Sequence, residues 1–475
     1  MPPTLALLLC TAFVLCLLFV EKRESKGVSA AVWIPTVWVM IAATGRPIET
    51  WIGGSGTVLQ GFSAAASNES GSAMNRWMLT ALAVAGILVI ALRRFNWSGA
   101  MRRQGWLIVL LAYMLLSVFW SEITVIALKR WARELIVLVM VLLMMSEANP
   151  LQALASLLRR CAYVLLPFSI VLIKYYPLLG RQYSRWSGVQ MWTGVTGQKN
   201  ELGRLCMISV FFLLFALYQH WRERSPENGR YQLWSDISII VIGIYLLIGS
   251  SSATSLATLL VGIAIFLGVQ WSKKITSNVG RIGLQAAVIF LFVYGTAVPF
   301  LGGSNVAAFT SVLGRDETLT GRTEVWALVI PARDRQPMLG YGFGSFWTDY
   351  RRQLYDIPTA HNGYLDILLE LGEVGLILYV CWLLSWMRQL HRALTWEHGW
   401  AGFAISLLLM SLIYNSTESA LNSTTDYITA VIFIVCWLAV YKFDSRSADG
   451  ASVIQPERPM LSNKRRLGST TAMAS

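Results

Sequence analysis

Apolar stretches return from one end of this chain to the other, and several reach the roughly 18 residues that cross a bilayer as a helix. They fall near 4–20, 28–43, 75–92, 104–120, 133–147, 156–174, 202–219, 235–249, 252–270, 282–300, 363–387, 400–414 and 426–441. The 475 residues are 55% hydrophobic and only 14% charged, where a soluble chain carries about 25%. The sequence therefore predicts an all-α polytopic membrane protein of about 12–13 transmembrane helices with one large outer loop. Residues 4–20 read as a first span rather than a removable leader, since no cleavage-site pattern follows them.

The net charge of +13 comes from short basic pieces between apolar runs, not from a basic domain, so nucleic acid is a poor partner for it. Membrane lipids fit better. The basic pieces are 21–26, 93–103, 220–230, 272–281 and 388–392, and all fall on one side of the alternation, which marks that side as cytoplasmic. The tail, 442–475, is polar and basic and reads as a disordered cytoplasmic extension. The six cysteines lie in or beside apolar runs with no metal-ligand spacing, so neither a disulfide framework nor a zinc site is expected.

Three longer segments, 44–74, 175–201 and 301–362, fall on the opposite side. The first is Gly/Ser/Ala-rich and nearly uncharged. The third is charged and patterned, and a loop of that length in a compact protein more often has a function than not. Thr320 is placed to cap a short helix beginning at Gly321, which Pro331 would end near Ile330. Arg322 would then stand in its first turn, where a phosphate binds well; alternatively it pairs with Glu317 or Glu324 and braces the loop. "GYGFG" (340–344) lacks the Gly-Lys-Ser/Thr of a nucleotide loop and reads as a tight turn. It sets Phe343, Phe346, Trp347 and Tyr350 on the membrane surface or against a sugar.

His361 is the one histidine on the outer side; His220, His391 and His398 are cytoplasmic. An imidazole, with an ordinary pKa near about 6.5, can take a proton from an attacking hydroxyl, and Asn362 beside it could orient the ring or a substrate. A plain surface histidine at a helix start is the competing reading. Asp366, Glu370 and Glu373 share one helical face, and Gly372 and Gly375 would let another helix approach closely. In 175–201, Arg181, Arg185 and Lys199 alternate with Tyr and Trp, and Arg204 follows. That surface suits a diphosphate and sugars, or equally an interfacial belt facing lipid headgroups.

These residues resemble the O-antigen ligase and Wzy-type polysaccharide polymerase superfamily. Its ligases carry His-Asn/Ser/Gln, nine residues, Gly, two residues and Gly/Thr/Tyr. Here His361-Asn362 is followed at that spacing by Gly372 and Gly375. "TGVTGQKNELGR" (193–204), "TGRTEVW" (320–326) and "GYGFGSFW" (340–347) are also similar to the family. The resemblance covers most of 105–441, leaving 1–104 as additional N-terminal helices. It implies a bundle with a large periplasmic loop, 301–362, in a bacterial inner membrane. It implies an undecaprenyl-diphosphate-linked glycan donor, with no nucleotide sugar, metal or other cofactor. By resemblance His361 and Arg322 are catalytic, and Arg181, Arg185 or Arg204 supplies a further cation. Substrate contacts would come from these arginines with Lys199, Asn362 and Trp347. The pattern looks closest to exopolysaccharide polymerases, which work with a flippase and a chain-length regulator. A ligase acting on lipid A core remains the alternative acceptor reading, and a transporter or a membrane scaffold the alternatives of another class.

Overall fold

The computed structural model describes residues 1–52, 72–95, 97–183, 188–223, 229–301, 317–355, 357, 359–421, 423 and 426–453. Arg185 and the tail beyond 453 lie outside them.

Among these residues eight helices are long and apolar enough to cross a membrane: Pro3–Glu24, Ala73–Leu92, Pro150–Tyr175, Lys199–Arg222, Arg230–Gly249, Ala253–Trp271, Asn278–Phe300 and Gly363–Ala393. Shorter apolar helices fill Ala30–Thr44, Gly105–Trp120 and Tyr427–Tyr441, and Ile136–Met145 and His398–Asn415 add two more. The protein is a helical polytopic membrane protein. Its inner helices are buried nearly all round, as in Pro150–Tyr175, whereas Ala73–Leu92 is only 6% buried, as a helix on the rim facing lipid tails would be. Exposed Trp77, Leu88, Trp234, Ile248, Phe290 and Val293 continue that apolar outer surface.

Successive membrane-length helices pack as neighbours in the middle of the chain: Lys199–Glu223 lies against Arg230–Gly249, and Asn278–Ala297 against Gly363–Ala393. Aromatic rings from different helices interlock, with Phe211, Phe215, Phe266 and Phe403 in stacked and edge-on pairs. A two-stranded hairpin, Arg181–Tyr183 with Gln190–Trp192, caps the end of Pro150–Tyr175.

The described part of the large loop is folded over the bundle and has its own core. Val325, Trp326, Val329, Ala332, Tyr341, Phe346 and Trp347 bury themselves against Leu365 and Leu369. This packing corrects the expectation of a short helix from Gly321 to Ile330. The helix runs Glu317–Arg335 with Pro331 inside it. Pro331 deletes one helical N–H, but Val329 and Ala332 on either side of it are buried, and that packing carries the helix onward. Arg322 accordingly stands in the second turn, away from the free N–H groups of the first.

The helix after His361 is also not the straight element its acid spacing suggested. It breaks at Gly372, where φ is 66° and ψ is −165°, a conformation reserved for glycine. The loop 337–342 fills the break. Leu369 and Glu370 carbonyls accept from Tyr341 and Gly342 at 2.9 and 2.8 Å, while the Glu373 and Val374 N–H groups donate to Pro337 and Met338 carbonyls at 2.9 and 3.2 Å. Tyr113 donates its hydroxyl to the Leu371 carbonyl at 2.9 Å. These five backbone groups at the break thus have protein partners in place of water or lipid, as a broken helix at membrane depth requires. Gly372 therefore admits a loop, not a second helix, because an added Cβ would meet the Met338 carbonyl; at Gly375 it would meet Leu371 of the same helix.

Gly372→Ala should cost about 1–3 kcal/mol from backbone strain alone, beyond the clash. Thermal unfolding of the purified variant is expected to start earlier than that of the native chain, with a lower yield of monodisperse protein.

Candidate functional site

Several helix ends meet beneath the folded loop. The N-termini of Lys199–Glu223, Gly363–Ala393 and Tyr427–Val453 converge there with the C-termini of Asn278–Ala297 and His398–Asn415. Asn362 ties them. Its side-chain oxygen caps the histidine-bearing helix, accepting from the N–H of Tyr364 and Leu365 at 3.0 and 2.9 Å. Its amide donates to the Gly295 and Ser416 carbonyls at 3.0 Å each. Asn362 is wholly buried, and each polar atom of its side chain is used by the protein. Its place is that of a structural knot.

His361, one residue before, has φ of 50°, an uncommon conformation for a residue with a Cβ. Its neighbours hold it there. The Ala360 N–H donates to Asp366 at 3.1 Å and the Ala360 carbonyl accepts from Trp326 at 3.0 Å. The imidazole remains 27% exposed, more than either partner described next. His391 lies at the other end of the same helix, and His220 at the far end of Lys199–Glu223.

Glu418 joins the site's groups. It lies in the turn after His398–Asn415, and its Oε2 is 3.3 Å from His361 Nδ1. Its Oε1 forms an ion pair with Arg322 and accepts from Asn200 Nδ2 at 2.7 Å. The turn is fixed in its own right. The Asn415 side-chain oxygen accepts from the N–H of Ala420 and Leu421 at 3.1 and 3.0 Å, and Ser419 hydrogen-bonds Asp366. Arg322 thus finds its carboxylate 96 residues away rather than in nearby Glu324, and the side chain of Glu317 lies outside the described residues. Arg204, also buried, holds Asp426 at 2.6 Å, so a second guanidinium stands behind the first pair.

The remaining expected residues are placed as follows. Arg181 donates to the Ile173 carbonyl at 2.6 Å, and the Gln190 oxygen, with its amide turned, accepts from it at 2.9 Å; it braces the hairpin. Lys199 is half-buried at the first residue of its helix. Arg185 lies outside the described residues. Phe343, Phe346 and Trp347 are turned inward, with Trp347 only 3% exposed and giving its indole N–H to Asp366 at 2.8 Å. Left-handed Gly340, Gly342 and Gly344 reverse the chain so that Phe346 and Trp347 enter the loop's core and Phe343 enters the core of the bundle. The expectation of surface rings is corrected for these three; Tyr350 is 72% exposed. Among the acids, Asp366 and Glu370 are buried, while Glu373 lies beyond the break and pairs with Arg333 at 2.7 Å. Glu418, Asn200 and Asp426 were not singled out from the sequence. The adjacency of Asn200 to Lys199 in "GQKNELGR" was the available pointer, and nothing local marked Glu418.

Burial on its own would raise the Glu418 carboxyl. The hydrogen bond from His361 and the charges of Arg322, His361 and Arg204 outweigh it, and the group sits below its ordinary value.

A family profile described as O-Antigen ligase matches residues 238–380, which include Arg322 and His361. The Exopolysaccharide production protein ExoQ of Rhizobium meliloti is 25% identical over 304 residues, 61% of this chain and 66% of that protein. Proteins provisionally named as polysaccharide ligases in Rickettsia typhi and Rickettsia prowazekii are 27% and 26% identical, over 32% of this chain and 39% of their own length. The chain thus shows distant homology to polysaccharide polymerase and ligase proteins, and it spans just under two thirds of the length of ExoQ and about two fifths of the Rickettsia proteins.

Glu418 has a native pKa below its unfolded value of about 4.3. Its stabilising contribution is thus complete above that value and is lost as pH falls through the lower native one. Glu418→Gln should unfold at a lower temperature than the native chain at neutral pH, and the gap should close only below about pH 4. Tryptophan-fluorescence melting across that range checks it.

Proposed function

We propose that this protein polymerises undecaprenyl-diphosphate-linked oligosaccharide repeat units by glycosyl transfer at the periplasmic face of a bacterial inner membrane. The observation that supports it above all is the bridge His361–Glu418–Arg322. It sets a potential base beside a cation that suits a leaving diphosphate, at one end of a helical bundle. The basic residues Arg222 and Arg392, in the last turns of helices whose N-termini meet at the site, belong to the other end, and lysine and arginine favour the cytoplasmic side.

In this reading the acceptor sugar's hydroxyl attacks the anomeric carbon of the donor. The bond to the diphosphate oxygen breaks, and its electron pair leaves with the diphosphate. His361 Nε2, the ring nitrogen not turned to Glu418, receives the hydroxyl proton. A single displacement of this kind inverts the anomeric centre. Arg322 stabilises the charge growing on the leaving group with N–H donors that Glu418 does not engage. Its guanidinium offers five such donors in a fixed fork. Arg204, held by Asp426 nearby, adds positive potential. The donor needs no nucleotide or metal activation in this scheme, since its diphosphate is already the leaving group. A flippase would deliver the donor, and a chain-length regulator would end growth.

The ExoQ relative's name, which speaks of exopolysaccharide production, favours the polymerase reading. The Rickettsia names, which speak of polysaccharide ligases, favour a second, ligase reading, for which the acceptor we consider is lipid A core. Both readings use the same donor chemistry.

Purified protein in lipid nanodiscs, given undecaprenyl-diphosphate repeat units, should yield a ladder of products on a gel. His361→Ala is expected to lower the rate about 10²–10⁴-fold, and Arg322→Ala about 10²–10³-fold. Arg322→Lys should restore little, because a point charge does not replace the fork. Transfer only when lipid A core is added would make the protein a ligase. Absence of turnover with either acceptor would sink the proposal.

A further inference from the structure

Glu418 belongs to none of the motifs that drew attention to this chain, yet it touches both groups proposed to do the chemistry. Its two oxygens are divided between them. Oε2 faces His361 Nδ1 at 3.3 Å; Oε1 takes Arg322 and, at 2.7 Å, Asn200. The carboxylate is itself fixed from behind, because its turn is held by Asn415 and Ser416 is tied to Asn362. We infer that Glu418 is a positioning residue of the transfer site: it holds the proton of neutral His361 on Nδ1, so that Nε2 is left as the base, and it sets the spacing between that base and Arg322. The inference rests on His361 being the base.

The physical argument is one of inventory. A neutral imidazole has one N–H and one lone pair, and the partner of one nitrogen decides which is which. An ionised carboxylate can only accept, so the nitrogen facing it must donate. When Nε2 takes the acceptor's proton, the ring becomes an imidazolium and Nδ1–H stays on Glu418, which remains a carboxylate throughout. The proton then passes from Nε2 to water before the next cycle. The other charged groups around the ring do not replace this carboxylate. Asp366, on the histidine's own helix, is engaged with Trp347, Ala360 and Ser419. Arg204 and Asp426 hold one another, and Glu201 accepts from the Gly197 and Gln198 N–H groups at 2.9 and 3.2 Å. Arg322, on the loop helix, is a cation, and by itself would oppose protonation of the ring.

An anion beside a histidine favours the charged ring, and its removal does the reverse. Glu418→Gln should therefore make the ring harder to protonate. The acid limb of the pH–rate profile should move with it. Turnover should fall about 10–100-fold, in kcat rather than in KM for the anionic donor. A carboxylate that merely braced the fold would lower the rate equally at all pH values and leave the ring's titration alone.

The test is NMR titration of the full chain in nanodiscs, with isotope-labelled histidine, for the native protein and Glu418→Gln. The His361 resonance is identified by its loss in His361→Ala, and no substrate is needed. A lowered midpoint and a loss of the Nδ1–H tautomer would support the inference. An unchanged midpoint and tautomer would overturn it. If Glu418→Gln does not fold, Glu418→Asp is read in its place. Retreat of the carboxylate by one methylene should mix the two tautomers and lower kcat, and an unmixed tautomer with native turnover would overturn the inference. Normal turnover by His361→Ala would remove the base assignment instead, while the titration still reports whether Glu418 governs the ring.

Discussion

The break at Gly372 is the constraint on which the rest of the structure depends. A helix inside a bilayer cannot leave carbonyls and N–H groups bare, since each costs several kcal/mol there. Here the break is filled by the backbone of 337–342, so the loop and the helix specify one another. That pairing anchors the loop's core against Leu365 and Leu369 and fixes the first turns of the helix that follows His361. It also brings the loop helix, with Arg322, over the same bundle end. A disturbance at Gly372 would therefore reach His361 and Arg322 together, although it touches neither.

Electrostatics at that end are arranged in pairs. Arg322 is met by Glu418 and Arg204 by Asp426. An isolated buried charge is expensive, and removing one partner of such a pair usually costs more than the pair contributes to stability. Paired in this way, the two arginines are held in a region that is mostly covered, and on the proposed function an anionic donor would have to share them with their resident carboxylates.

The helices were legible because bilayer-length apolar runs leave little else for the chain to form; each of the stretches read as a span carries a helix. His361 stood out because it is the only histidine at its end of the bundle. The errors came where tertiary packing overrode a local rule. Pro331 looked like a helix stop, but buried Val329 and Ala332 carry the helix through it. The aromatic rings of "GYGFGSFW" looked superficial, but three left-handed glycines turn them inward. The glycines at 372 and 375 looked like a helix-packing motif, and the first of them is a break.

The sequence by itself determined that this chain is a bundle of membrane helices, which residues carry unusual chemistry for such a setting, and which superfamily they resemble. Those are properties of composition and of spacing along a few turns. Tertiary structure alone decided that Glu418 is the group that joins His361 to Arg322, across 57 and 96 residues respectively. No periodicity records a contact over that distance, because it is set by where helix ends meet and by a loop that fills a gap in a helix far along the chain.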